Sequence, residues 1–149
     1  MGMPQQAGAV VYVHADGDLH DLADDLLTCP IEVLNLQDQV NGIDWIRDRL
    51  KGRVCIDLDL DRQHLTVNGS AQEIDEHIHR AIAELADPSG GLMLSFNMGP
   101  EVSEQRGWAV ADAMERYCEL FGFLFLVPGS WCALRALDAG GLARTGALV

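Results

Sequence analysis

Residues 31–60, IEVLNLQDQVNGIDWIRDRLKGRVCIDLDL, carry the reading of the fold. Ile31–Leu36 and Arg53–Leu60 are short apolar runs, and between them Ile43, Ile46 and Leu50 recur at the spacing of one helix face. Asn41, next to Gly42, is a candidate N-cap for that helix. Strand, amphipathic helix, strand in so short a span is a βαβ unit, whose helix returns the chain so that the two strands run parallel.

The same alternation extends in both directions. Upstream, Ala9–Val13 runs as a strand into His14, and Leu19, Leu22, Ala23, Leu26 and Leu27 form a helical stripe. Downstream, Ser70 and Glu73 make a capping box ahead of Ile74, Ile78, Ala81, Ile82 and Leu85. Gly91–Phe96 is a fourth strand, and Ser103 opens a last helix through Val110, Met114, Tyr117 and Cys118. The class is α/β. Two architectures fit: a small doubly wound sheet, or four units of a (β/α)₈ barrel, whose complete form takes about 250 residues.

In either architecture a ligand site forms just beyond the strand C-termini. His14, Asp16 and Asp18 stand there after the first strand, and Asn35, Gln37 and Asp38 after the second. Asp57, Asp59 and Asp61 follow in the third, with Ser95 and Asn97 in the fourth. His14 and Asp16 are the catalytic candidates, as acid, base or metal ligands, and Gly17 serves the tight turn behind them. The period-two spacing of Asp57, Asp59 and Asp61 predicts three carboxylates on one face, which requires a cation, substrate donors or an arginine to offset their repulsion. An EF-hand is excluded, because Arg62 and Asn68 stand where its glycine and glutamate belong. His77 and His79, two apart on a helix, are not a zinc pair, and His20 and His64 are expected at the surface.

Composition narrows the function classes. Of 149 residues, 23 are acidic and 10 basic, a net charge of −13, which excludes a general nucleic-acid or anionic-membrane binder. No run reaches the ~18 apolar residues of a membrane helix. The start has no signal-peptide pattern, so a cytoplasmic chain is expected. Cys29, Cys55, Cys118 and Cys132 are scattered and expected as buried thiols, and Trp45, Trp108 and Trp131 as packing residues. Only Asp138 of the acidic residues lies beyond position 120, where the chain turns rich in Gly, Ala and Leu. The expected organisation is therefore one domain over 1–120 and an atypical apolar tail over 121–149.

Three stretches, VVYVHADGDLHDLADDLL, VLNLQDQVNGIDWIRDRLKGRVCIDLDLDRQHL and GGLMLSFNMGPEVS, resemble the C-terminal half of the uroporphyrinogen decarboxylase family, from about Ala7 to Leu120. The resemblance implies half of a (β/α)₈ TIM barrel, units five to eight, and a carboxy-lyase function related to tetrapyrrole (porphyrin) biosynthesis. In the decarboxylase branch Asp16-Gly17 match the first turn, and Asp59-Leu60-Asp61-Arg62 stand where the family has Asn-Leu-Asp-Pro; Met98 replaces its last-strand histidine. The family's substrate-holding arginines and central aspartate belong to the N-terminal half, which this chain lacks. The implied role is thus a divergent member acting on another small-molecule substrate, or a fragment, with no cofactor and with substrate-binding residues Gly17, Asn35, Gln37, Asp59, Asp61, Ser95 and Asn97. The methyltransferase branch, zinc- and corrinoid-dependent, has His-x-Cys-Gly where this chain has His14-Ala15-Asp16-Gly17, so a zinc alternative would rest on His14 and Asp16. A third alternative is a non-catalytic half-barrel subunit completed by a separate N-terminal half or a second copy. The isolated chain is expected to be inactive.

Overall fold

The computed structural model describes residues 6–121, 134–137 and 143–146. Four strands, β1 (Tyr12–Ala15), β2 (Val33–Gln37), β3 (Cys55–Asp59) and β4 (Leu92–Ser95), form one sheet in the order β1-β2-β3-β4, every pair parallel. Helices α1 (Ala23–Thr28), α2 (Asp38–Asn41), α3 (Ile43–Leu50), α4 (Leu65–Asn68), α5 (Ala71–Leu85) and α6 (Glu104–Phe121) occupy the connections and the segment after β4. The fold is α/β with alternating elements, as expected. The strand order never reverses, so the sheet has no switch point of the doubly wound kind.

The two faces of the sheet differ in kind. Leu34, Leu36, Ile56, Leu58, Leu92 and Leu94 are buried in one core with Ile46 and Leu50 of α3, Ile74, Ile78 and Ile82 of α5, and Val110 and Met114 of α6. Right-handed crossovers along an unreversed strand order put every crossover helix on the same side, which is where these side chains point. By strand alternation the other face carries Tyr12, His14, Asn35, Gln37, Cys55, Asp57, Asp59, Met93 and Ser95. It is polar.

Helix α5 shows how local sequence sets the helical layer. The Ser70 side chain accepts from the Glu73 N–H while the Glu73 carboxylate accepts from the Ser70 N–H and hydroxyl, and those bonds to the carboxylate hold Glu73 below its ordinary pKa. Ile74, Ile78, Ala81 and Ile82 are wholly buried; each isoleucine contributes about 2 kcal/mol through burial. The helix ends at Leu85, ahead of Asp87-Pro88, which cannot continue it. Arg47 of α3 bonds Glu84 at 2.7 Å and Lys51 donates to the Glu84 carbonyl, fastening α3 to α5.

Several expectations are corrected. The first strand covers Tyr12–Ala15 and includes His14, and α1 begins only at Ala23, leaving Leu22 exposed. Asn41 is not an N-cap: it ends α2, Gly42 precedes α3, and its side chain serves other loops. Cys29 is exposed and Cys55 half-buried, so neither is a fully buried thiol. Trp45 packs on the core and meets the exposed His20 ring at 4.3 Å, but Trp108 is 61% exposed. In the region read as an atypical tail, β5 (Leu134–Leu137) and β6 (Ala143–Gly146) pair antiparallel as a separate sheet. The remainder of 122–149, with Trp131 and Cys132, lies outside the described residues, as do the surroundings of Cys118. Among the described residues no helix is long and apolar enough to cross a membrane.

Candidate functional site

The polar face gathers its side chains because β1, β2 and β3 pair residue for residue: His14 lies beside Asn35, Asn35 beside Asp57, and Gln37 beside Asp59. Asn35 Nδ2 donates to the Asp57 carbonyl at 2.9 Å, so Asn35 Oδ1 is turned to the other neighbour, His14 Nδ1. An acceptor at Nδ1 requires a proton there. The other ring nitrogen, Nε2, lies 3.3 Å from Asp16 Oδ2. Two acceptors on two ring nitrogens favour the imidazolium, and His14 is held above its ordinary pKa by the Asn35 bond first, then by Asp16 and Asp59, against the opposing effect of desolvation.

Asp16, one residue past β1, is the hub. Its Oδ1 accepts from Gln37 Nε2 at 2.8 Å and from an Arg62 amino group at 2.8 Å. The second Arg62 amino group is 3.5 Å from Asp59 Oδ2. Asp59 is buried at the sheet centre, and its carboxyl is pushed above the usual carboxylate range by desolvation. Arg62 opposes that shift, while Asp38, Asp16 and Asp57 add to it. The arginine that the acidic strand ends require is therefore in place, supplied by the chain three residues after the end of β3, just past Leu60–Asp61. Tyr12 closes the β1 side, its hydroxyl donating to Asp57 Oδ2 at 2.6 Å. Burial and that bond raise the phenol's pKa.

Of the expected site residues, His14, Asp16, Asn35, Gln37 and Asp59 are thus one connected constellation. Ser95 shares the face, and among the described residues its hydroxyl donates to the Leu58 carbonyl at 3.5 Å rather than to the cluster. Asp61 leaves the face: the strand ends at Asp59, and Asp61 Oδ1 caps the following turn by accepting from the Gln63 and His64 N–H groups. Asn97 is exposed beyond β4 and is not hydrogen-bonded to the others. Gly17 has no left-handed φ; its carbonyl accepts from Asn41 Nδ2 at 3.2 Å.

Three further residues contribute in ways that the sequence does not mark. Arg62, in the turn after β3, pairs with Asp16 and Asp59. Asn41 binds the Leu19 N–H through Oδ1 at 2.9 Å and the Gly17 and Gln37 carbonyls through Nδ2, joining the loops that carry Asp16 and Gln37. Asp38, buried just past the end of β2, meets His77 Nε2 of α5 at 2.5 Å through one oxygen, while its other oxygen is buried with no hydrogen-bond partner among the described residues. Each of these links residues 20 or more apart or lies in a turn, where no local periodicity marks it.

The donor set does not suit zinc. His14 and Asp16 face each other, but Arg62 and Gln37 already hold Asp16 Oδ1, and the guanidinium sits between the acids that would complete a coordination shell. Among the described residues no group of three potential ligands is placed to hold a metal. The cluster joins a histidine and a buried acid, both of raised pKa, with one arginine on the polar face of a parallel sheet. Comparison with known proteins gives no assignment: no family model, curated protein or solved structure matches the chain.

Proposed function

We propose that this chain is one half of a (β/α)₈ barrel of the uroporphyrinogen decarboxylase type, and that its strand-end cluster serves a small carboxylic acid carrying N–H donors. The observation that carries the reading is the one-sided sheet, with helices on one face and the His14–Asp16–Arg62–Asp59 cluster on the other. A barrel has this arrangement, with its helices outside and its strand-end residues gathered at one rim. The open β1 and β4 edges would be closed by a second half-barrel, without which the chain is inactive.

In a decarboxylation the bond to the carboxyl carbon breaks, the carboxylate departs as carbon dioxide, the electron pair of the bond stays on the substrate carbon, and a proton must be returned there. His14 supplies that proton from Nε2, with Asn35 fixing the ring and Asp16 stabilising its charge. Asp59 and Gln37 face substrate N–H and acceptor groups, and Arg62 holds the substrate carboxylate. Uroporphyrinogen itself is disfavoured, since its many carboxylates would meet Asp16, Asp57 and Asp59 with one arginine to offset them.

The test is a titration of the full chain with pyrrole-2-carboxylate, followed through the His14 Hε1 resonance. Saturable movement that pyrrole and benzoate fail to produce, and that Arg62→Gln abolishes, is the expected result. A His14 signal that stays still at millimolar ligand, or that responds equally to benzoate, overturns the site assignment. Light scattering on the same sample tests the half-barrel: a dimer is expected, and a monodisperse, folded monomer overturns self-completion.

A further inference from the structure

Trp108 stands out against the rest of the helical layer. It is 61% exposed on α6, although an indole offers some of the largest contact area of any side chain and is a recurrent anchor of protein interfaces. Glu104 and Asp112 lie one turn before and one turn after it, on the same face. The Trp108 Nε1–H donates to Glu104 Oε1 at 3.4 Å, which orients the ring edge. A shallow, open groove of about 500 Å³ lies along this stripe, lined by Ala71 at the start of α5 and by Glu104, Trp108, Ala109 and Asp112 of α6.

The charges around it are uncompensated. Among the described residues neither Glu104 nor Asp112 has a salt-bridge partner within 4.0 Å, and the two arginines of α6 are turned elsewhere. Arg106 donates to the Gly69 carbonyl at 3.1 Å, and Arg116 binds Asp75. An aromatic face flanked by two carboxylates is the chemistry that recognises a guanidinium or ammonium group. The groove is open and follows the helix for two turns, about 12 Å. That shape encloses too little of a small cation to hold it, and it matches a length of polypeptide.

We propose that the α5–α6 groove is a docking surface for a basic segment of another protein, with an Arg or Lys side chain on the Trp108 indole between Glu104 and Asp112. The chain's net charge of −13 favours the approach of such a segment at long range, while Trp108 supplies the local contact. This inference is independent of the strand-end site and holds whether or not that site is catalytic.

The test uses the full chain and a fluorescein-labelled peptide of Gly and Ser with three spaced arginines, read by anisotropy at low salt. Trp108→Ala is expected to weaken binding about five-fold, the equivalent of about 1 kcal/mol for a lost cation–π contact. Trp108→Phe retains most of the affinity, and Glu104→Gln with Asp112→Asn weakens binding and flattens its salt dependence. Asp21→Asn with Asp25→Asn removes the same charge from the opposite end of the domain's sequence and is expected to leave binding nearly intact. Equal affinity in Trp108→Ala, equal loss in the two charge-neutralised pairs, or equal binding of a glutamine version of the peptide overturns the proposal in favour of diffuse attraction to an acidic protein.

Discussion

Replacing Asn41 by alanine tests the joint that holds the strand-end loops together. Asn41 is 3% exposed and uses its whole amide: Oδ1 accepts from the Leu19 N–H at 2.9 Å, and Nδ2 donates to the Gln37 carbonyl at 3.0 Å and the Gly17 carbonyl at 3.2 Å. Alanine leaves the buried Leu19 N–H without a partner, at about 1–3 kcal/mol, and removes two further hydrogen bonds to carbonyls, at about 0.5–1.5 kcal/mol each, so a loss of about 3 kcal/mol is expected. For a domain of this size that lowers the melting temperature by about 10 °C. An N-capping asparagine, the role its position beside Gly42 suggests, would cost only about 1 kcal/mol. Asn41→Asp separates the roles further, because aspartate caps helices well yet cannot donate to two carbonyls. It should be nearly as damaging as alanine. Urea denaturation followed by circular dichroism gives the energies, and amide exchange gives the mechanism. Leu19 lies outside every strand and helix, so its amide should be protected in the wild type and lose that protection in Asn41→Ala. A cost at or below about 1 kcal/mol, a well-tolerated aspartate, or an unprotected Leu19 amide in the wild type would refute the reasoning.

Two pH-dependent outcomes follow from the cluster. The folded pKa of His14 lies above its unfolded value, so the stabilisation from Asn35 and Asp16 is full below an unfolded pKa of about 6.5 and is lost as pH rises through the folded pKa. Proton NMR of His14 should show this elevation, and Asp16→Asn should lower the value; a His14 pKa at or below the free-histidine value in the wild type contradicts the geometry. Asp59 is the opposite case of cost: its raised folded pKa means that the ionised, buried carboxylate burdens the native state at neutral pH and is relieved as pH falls through that pKa. Asp59→Asn is therefore expected to raise the urea midpoint at neutral pH and to change it little in acid, and a destabilised variant at neutral pH would show that the Arg62 contact outweighs desolvation.

What could be read from sequence was what is encoded locally. The Ser70–Glu73 box and the Ile74, Ile78, Ile82 stripe are set by neighbours three and four residues apart, and both stand as expected. Leu19 and Leu22 extend the stripe of α1 in sequence, but the Leu19 N–H is taken by Asn41 from 22 residues away and the helix starts later, at Ala23. Asp61 continues the alternation of Asp57 and Asp59 only on paper, because β3 stops and the Asp61 side chain is spent on two backbone N–H groups. Arg62 shows the useful limit: the acidic ends demand a positive partner, yet which arginine answers depends on how the turn after β3 folds back. Trp108 is exposed although expected to pack, because Glu104 and Asp112, one turn before and one turn after it, mark its side of α6 as the solvent face.

The alternation within β3 constrains whatever else meets this sheet. A parallel strand buried on both sides is apolar throughout, but here Ile56 and Leu58 are wholly buried under helices while Asp57 and Asp59 point the other way. Asn35, Gln37 and Asp59 are already buried, so an apolar layer over that face would strip the remaining water from Asp57, His14 and Asp16, at several kcal/mol for each ionised group left without a partner. A helix layer of the doubly wound kind is therefore a poor complement. An element that covers the face must bring donors: arginines, backbone N–H groups, or enclosed water with a polar ligand. The interior rim of a barrel closed by a second set of strands meets that requirement, and Arg62, reaching back over Asp16 and Asp59, already begins to do so from within the chain.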